Sequence, residues 1–131
     1  MRTKWQRVLC VLAAVFFIIA GFLHFVHPAP YLKIMPPYIP WHRTMVLVSG
    51  AAEMLGGTAL LIPRWRRAAA WFLVAVLIAI FPANIYAATD HIQFTMRKLP
   101  DWVAWARLPL QAVFIWWVLW CTEERRTRRV V

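Results

Sequence analysis

Four long apolar runs dominate this chain of 131 residues. They extend over about 8–26, 44–62, 68–88 and 101–121, and each approaches or reaches the roughly 20 residues that a helix needs to cross a bilayer. Hydrophobic residues make up 63% of the chain, and a soluble domain of this size has too little interior to bury them. The sequence therefore predicts an all-α, four-helix transmembrane bundle, formed by one domain over 1–131 with a charged tail at 122–131.

A proline-rich segment, "PAPYLKIMPPYIP" at 28–40, separates the first two apolar runs. Its five prolines exclude a long helix, although a short turn of helix from Pro30 to Met35 is compatible with them. Tyr31, Tyr38 and Trp41 are residues typical of the boundary between membrane and water. We therefore expect this segment to lie at the membrane interface between helices 1 and 2.

Basic residues predict the orientation. Three precede the first run, three follow the second and four lie in the tail, whereas the two opposite loops hold only Lys33, Arg43, Arg97 and Lys98. Because cytoplasmic segments carry the excess of basic residues, both termini are expected in the cytoplasm. The net charge of +10 is thus explained by topology and anionic lipid. No nucleic-acid recognition module accompanies it, so no nucleic-acid partner is predicted.

Five polar side chains interrupt the outer halves of the apolar runs. With about 1.5 Å of rise per residue, Glu53 lies roughly 14 Å below the outer end of its helix, and Gln111 lies at a similar depth. Arg107, Asn84 and His24 lie nearer the outer ends of their helices. Such residues are rare in a membrane and face the bundle interior. We predict that these five residues line an outward-facing pocket that binds a ligand.

The stretch "SGAAEMLGG", 49–57, surrounds Glu53 with small residues. Gly50 and Gly57 share its helix face, so a neighbouring helix can approach closely on either side of the carboxylate. An unpaired carboxylate at this depth would be protonated, and Arg107 is the basic residue at comparable depth. We therefore expect a Glu53–Arg107 pair. An equally weighted alternative is that this pair, with Gln111 and Asn84, only fixes helix register.

The histidines and cysteines of the chain do not indicate a metal-binding or catalytic site by their spacing. All four histidines fall near the outer side, but their spacing does not require a metal, and we interpret them as interfacial: His24, His27, His42 and His91. Cys10 and Cys121 lie near the inner ends of the first and last helices and form no CxxC motif. We interpret them as buried, inert thiols that can approach each other if those helices are neighbours.

Several motifs in order resemble the DoxX-like family of small bacterial integral membrane proteins. They are "GFLHFVHP" at 21–28, "PPYIPWH" at 36–42, "SGAAEMLGGTALLIP" at 49–63, "FPANIYAA" at 81–88 and "RLPLQ" at 107–111. The resemblance implies a four-helix transmembrane bundle in the bacterial cytoplasmic (inner) membrane. Family members include small subunits linked to a thiosulfate:quinone oxidoreductase and to membrane redox complexes, and related animal proteins are thought to assist membrane-protein assembly.

Together these observations favour a small accessory subunit that binds a quinone- or lipid-like ligand and is linked to membrane redox chemistry, with a quinone as the candidate cofactor. The alternative is a non-enzymatic assembly or interaction subunit for a larger membrane protein, and a small transporter is the third hypothesis. The expected partners are the lipid bilayer and a larger membrane complex or a homo-oligomer. The residues favour neither an enzyme nor a non-enzyme.

Overall fold

The computed structural model describes residues 2–90 and 100–124 and is all-helical there. The described residues form five helices: α1 (Lys4–Val26), α2 (Ala29–Lys33), α3 (His42–Leu61), α4 (Arg66–Thr89) and α5 (Asp101–Thr122). All but α2 are long and apolar enough to cross a membrane, which confirms the prediction of four such helices. The chain is thus a multi-pass membrane protein in contact with lipid. The interpretations of His91, Arg97, Lys98 and of 125–131 in the charged tail lie outside the described residues.

The first helix begins four residues earlier than predicted, because its polar first turn is capped. Thr3 Oγ1 accepts a hydrogen bond from the Gln6 N–H at 3.1 Å, and Gln6 Oε1 accepts one from the Thr3 N–H at 2.9 Å, which completes a capping box. The Gln6 amide also donates to the Trp120 carbonyl at 3.2 Å. The beginning of α1 therefore satisfies carbonyl groups at the end of α5 as well as its own first turn.

The proline-rich segment forms the single short helix that its composition allows. It begins at Ala29, one residue before the predicted start, with Pro30 in its first turn. Trp41 then adopts a left-handed backbone conformation, with φ of 53°, directly before α3. His42 Nε2–H donates to the Pro36 carbonyl at 3.0 Å and closes this turn. The segment is folded back so that α2 lies against α3.

The four long helices form a ring in which α1 packs against α3 and α5, and α4 packs against the same two helices from the other side. The first and last helices are therefore neighbours. The main apolar core lies in the half of the bundle that contains the start of α1 and the end of α5, and its fully buried members include Phe17, Leu60, Leu73 and Val118. The other half, next to α2, contains most of the buried polar side chains.

The contact between α1 and α3 is close enough to exclude a methyl group. A Cβ atom built on Gly21 would collide with the backbone carbonyl oxygen of Gly50, and one on Gly57 would lie 2.9 Å from that of Ala14. Small residues permit this approach of two helix backbones. This close contact places the helix face of α3 that contains Glu53 against α1. It explains why glycines, Gly50 and Gly57, lie on either side of the glutamate.

Candidate functional site

A cavity of about 170 Å³ lies in the half of the bundle next to α2. We call it the polar cavity, because all five residues that the sequence suggested for a ligand site line it: His24, Glu53, Asn84, Arg107 and Gln111. Each long helix contributes at least one of them. The structure thus brings the five side chains around one space, and their role in binding stays a prediction.

Glu53 is buried in this cavity, with 6% of its surface exposed, and an imidazole lies beside it. Its Oε2 atom lies 3.5 Å from His24 Nδ1. Among the described residues, the imidazole of His24 and not the Arg107 guanidinium lies within 4.0 Å of this carboxylate, so the expected Glu53–Arg107 pair is wrong. The cause is Gly50, one turn before Glu53. A Cβ atom there would lie 2.5 Å from His24 Cβ, so glycine is what lets the histidine lie against α3.

His24 is held in one orientation by its own helix and by a tyrosine. Its Nδ1–H donates to the Ala20 carbonyl at 2.8 Å, so in the neutral ring Nε2 carries the lone pair. The ring stacks on Tyr31 of α2 with a centroid distance of 3.8 Å. Burial raises the pKa of Tyr31, and the nearby Glu53 carboxylate raises it further, whereas the Arg107 guanidinium acts in the opposite direction. Tyr31 therefore lies in the electric field of both charged groups.

Sequence reasoning did not assign Tyr31 to the site. It interpreted the residue as interfacial, whereas Tyr31 lines the polar cavity and is only partly exposed. The sequence signal that could have identified Tyr31 is the short helix that the prolines permit. In the structure this helix, α2, directs Tyr31 toward the bundle. Arg107 is half-buried at the same cavity and makes contacts of its own.

A hydrogen-bonded pair joins α4 to α5 on the opposite wall. Asn84 Nδ2 donates to Gln111 Oε1 at 2.7 Å. The Gln111 amide nitrogen in turn donates to the Leu77 carbonyl of α4, five residues before the Pro82 that interrupts the α4 hydrogen bonds. These bonds fix the register of α4 against α5 at the cavity.

Two buried oxygen atoms at this cavity accept no hydrogen bond from the described part of the chain. They are Glu53 Oε2 and Asn84 Oδ1. A buried acceptor without a donor costs about 1–3 kcal/mol. The polar cavity therefore offers two acceptors to a molecule that presents hydroxyl or N–H groups, next to the side chains of Arg107, Tyr31 and His24.

A second space of about 230 Å³ adjoins the polar cavity. We call it the apolar chamber, because aliphatic side chains of α3 and α4 form most of its lining, among them Val46, Val48, Val76, Ala79 and Ala83. Four side chains line both spaces: His24, Tyr31, Ile34 and Ile80. A polar and an apolar compartment thus share one wall, which is the arrangement that an amphiphilic molecule requires.

We expect Gln111→Leu to lower stability. The change removes the partner of Asn84 and of the Leu77 carbonyl, and buried polar groups left without partners cost about 1–3 kcal/mol. Thermal unfolding in mild detergent should show a clear drop in melting temperature. Thr58→Val is the matched control, because it deletes an exposed hydrogen bond, to Met54. Equal losses in both variants would show that the Asn84–Gln111 bond is not structurally important.

In the part of the chain that the structure describes, no three histidine, cysteine, aspartate or glutamate side chains lie close enough together to hold a metal ion. Residues 12–122 match the model of a domain of unknown function, DUF8561. Comparison with curated proteins and with solved structures gives no significant match. Because the family model covers most of the chain, from within α1 to the end of α5, the protein belongs to the DUF8561 family.

Proposed function

We propose that the protein is a small accessory membrane subunit that binds a quinone- or lipid-like amphiphile and is linked to membrane redox chemistry. The observation that carries this proposal is the pairing of a polar cavity, with two unsatisfied buried acceptors, and an apolar chamber that shares its wall. The head of the ligand occupies the polar cavity and its apolar part occupies the chamber. Ligand sites are commonly apolar spaces with a few convergent polar groups.

The two buried oxygen atoms without hydrogen-bond donors limit which head group the ligand can have. Glu53 Oε2 and Asn84 Oδ1 accept hydrogen bonds, so a hydroxyl-bearing head, such as that of a quinol or a hydroxylated lipid, satisfies them. Arg107 donates to a carbonyl oxygen of the same ligand, whereas the Nε2 lone pair of His24 accepts from a hydroxyl group. A bound quinone would supply two-electron redox chemistry, and the residues of this chain position it and exchange its protons through Glu53.

The proposed topology has both termini in the cytoplasm of a bacterial cell and the polar cavity near the outer side of the inner membrane. It is supported by the contacts of Arg2 with the end of α5 and of Arg66 with the end of α3. These contacts gather the basic chain start and the basic turn at one end of the bundle. At the other end, Tyr38 and Trp41 are each 74% exposed, as expected of an interfacial segment. The motif order in the sequence supports kinship with the DoxX-like family.

The proposal is tested by identifying what the protein retains. We expect that protein purified in mild detergent carries an amphiphile with a hydroxyl or carbonyl head, detectable by mass spectrometry of an organic extract. A short-chain benzoquinone or its quinol, added to stripped protein, should raise the melting temperature and change tryptophan fluorescence. An extract without any specific amphiphile, together with no response to either compound, would contradict the proposal.

An interaction subunit is the second candidate function. It is favoured by an apolar groove of about 370 Å³ on the outside of α3 and α4, whose lining is rich in small residues such as Gly56, Thr58, Ala59 and Ala68. Small residues of this kind permit close packing of a further transmembrane helix. Ala59→Phe should then abolish co-purification of a larger membrane protein and leave binding in the polar cavity unchanged. Unchanged co-purification would exclude the groove as the interface.

A further inference from the structure

The only two cysteines of the chain meet in the core at the end of the bundle opposite the polar cavity. Cys10 of α1 and Cys121 of α5 are almost completely buried, with 2% and 0% of their surfaces exposed. Their side chains interact directly with each other, and both belong to the same apolar cluster. The fold therefore joins two thiols that are distant in sequence, at the contact between the first and last helices.

Two guanidinium groups flank this pair. Arg2 donates to the Cys121 carbonyl at 3.1 Å through Nε, and its side chain also interacts with the Cys10 thiol. Arg66 Nε donates to the Leu60 carbonyl at 2.8 Å, and that carbonyl also accepts the Cys10 thiol at 3.8 Å. Positive charge beside a thiol stabilises the thiolate, which is the reactive form. The surroundings of these thiols are therefore electropositive, unlike those of an ordinary apolar core cysteine.

We propose that Cys10 and Cys121 form a dithiol site that hydroperoxides oxidise to an intramolecular disulfide. The Cys10 thiolate attacks a peroxide oxygen, the O–O bond breaks, and the departing hydroxide takes a proton to leave as water. Cys10 then carries a sulfenic acid. The Cys121 sulfur attacks the Cys10 sulfur, an S–S bond forms, the S–O bond breaks, and a second water leaves. In sum, two thiols and one hydrogen peroxide give one disulfide and two waters.

Cys10 is the attacking residue because its thiol interacts with the Arg2 side chain and shares the Leu60 carbonyl with Arg66. Arg2, which contacts both cysteines, is half-buried and precedes the first turn of α1, so hydrogen peroxide would approach the pair at this residue. The disulfide would tie α1 to α5 at the end where the chain starts. This site is independent of any ligand in the polar cavity.

The test uses the full chain, purified in mild detergent without reductant and exposed to hydrogen peroxide. Disulfide formation removes two hydrogens, so intact-mass spectrometry should show a loss of about 2 Da. After unfolding, an alkylating reagent should then modify neither cysteine until a reductant is added. A protease site inserted in the turn at 63–65 shows whether the bond is intramolecular. The two cleaved pieces should remain joined on a denaturing gel without reductant.

Four variants separate the roles. Cys121→Ser should stop at a sulfenic acid on Cys10, which dimedone traps, whereas Cys10→Ser should not react. Arg2→Gln should slow the oxidation, and Arg7→Gln, which removes an exposed charge from the same end, should not. Two alkylatable thiols in peroxide-treated wild-type protein would overturn the proposal, and so would disulfide-linked dimers in place of the internal bond.

Discussion

Glu53→Gln is expected to weaken binding of the amphiphile about 10- to 100-fold while leaving the free protein at least as stable. Removing one partner of a buried hydrogen bond costs about 1–3 kcal/mol, and about 1.4 kcal/mol corresponds to a factor of ten in affinity. The variant replaces an oxygen that has no donor in the described structure by an amide of nearly equal size. A buried carboxylate opposes folding more than a buried amide does, so the melting temperature without ligand should not fall.

The measurement is a binding titration of the stripped protein with the short-chain quinol, followed by tryptophan fluorescence, together with thermal unfolding of the free protein. Glu123→Gln is the matched control, since it makes the same chemical change at an exposed position beyond the end of α5. A variant at Glu53 that loses stability and affinity together would indicate that the carboxylate supports the fold. Unchanged affinity would remove Glu53 from the site.

The helices were predictable because their signal is strong and local. Runs of about 20 apolar residues have few alternatives in a membrane, and the depth of Glu53 or Gln111 follows from the rise per residue alone. That depth was sufficient to place five polar side chains at the same level of the bundle, and the structure brings all five to one cavity. Prolines in the connecting segment correctly allowed one short helix.

The partner of Glu53 was not predictable from the same information. Depth gives a position along the helix axis, whereas contact also depends on which neighbour each face meets, and that is decided by packing. Here the missing side chain of Gly50 admits His24, so the carboxylate meets α1 before it meets α5. Tyr31 was missed for a related reason, because its place depends on how the proline-rich segment folds back over the bundle.

The second large effect is expected from Gly21→Ala, which adds one methyl group between α1 and α3. The new Cβ atom would collide with the Gly50 carbonyl oxygen and lie 2.9 Å from the Met54 backbone nitrogen. Backbone atoms of a helix cannot rotate away, so the two helices must separate. Overpacking of this kind costs about 1–3 kcal/mol and occasionally more, which exceeds the roughly 1 kcal/mol that alanine gains over glycine in a helix.

Gly56→Ala provides the control, because its Cβ atom would meet only side-chain atoms, including Leu73 Cδ2 at 2.5 Å. The buried Leu73 side chain can shift at a cost, whereas a helix backbone cannot, so this variant should unfold below the wild type in detergent and Gly21→Ala should unfold further below it. The separation of α1 from α3 would also move His24 away from Glu53, so Gly21→Ala should lose ligand binding as well as stability. Equal melting temperatures for the two variants would mean that the backbones of α1 and α3 are farther apart than in the structure.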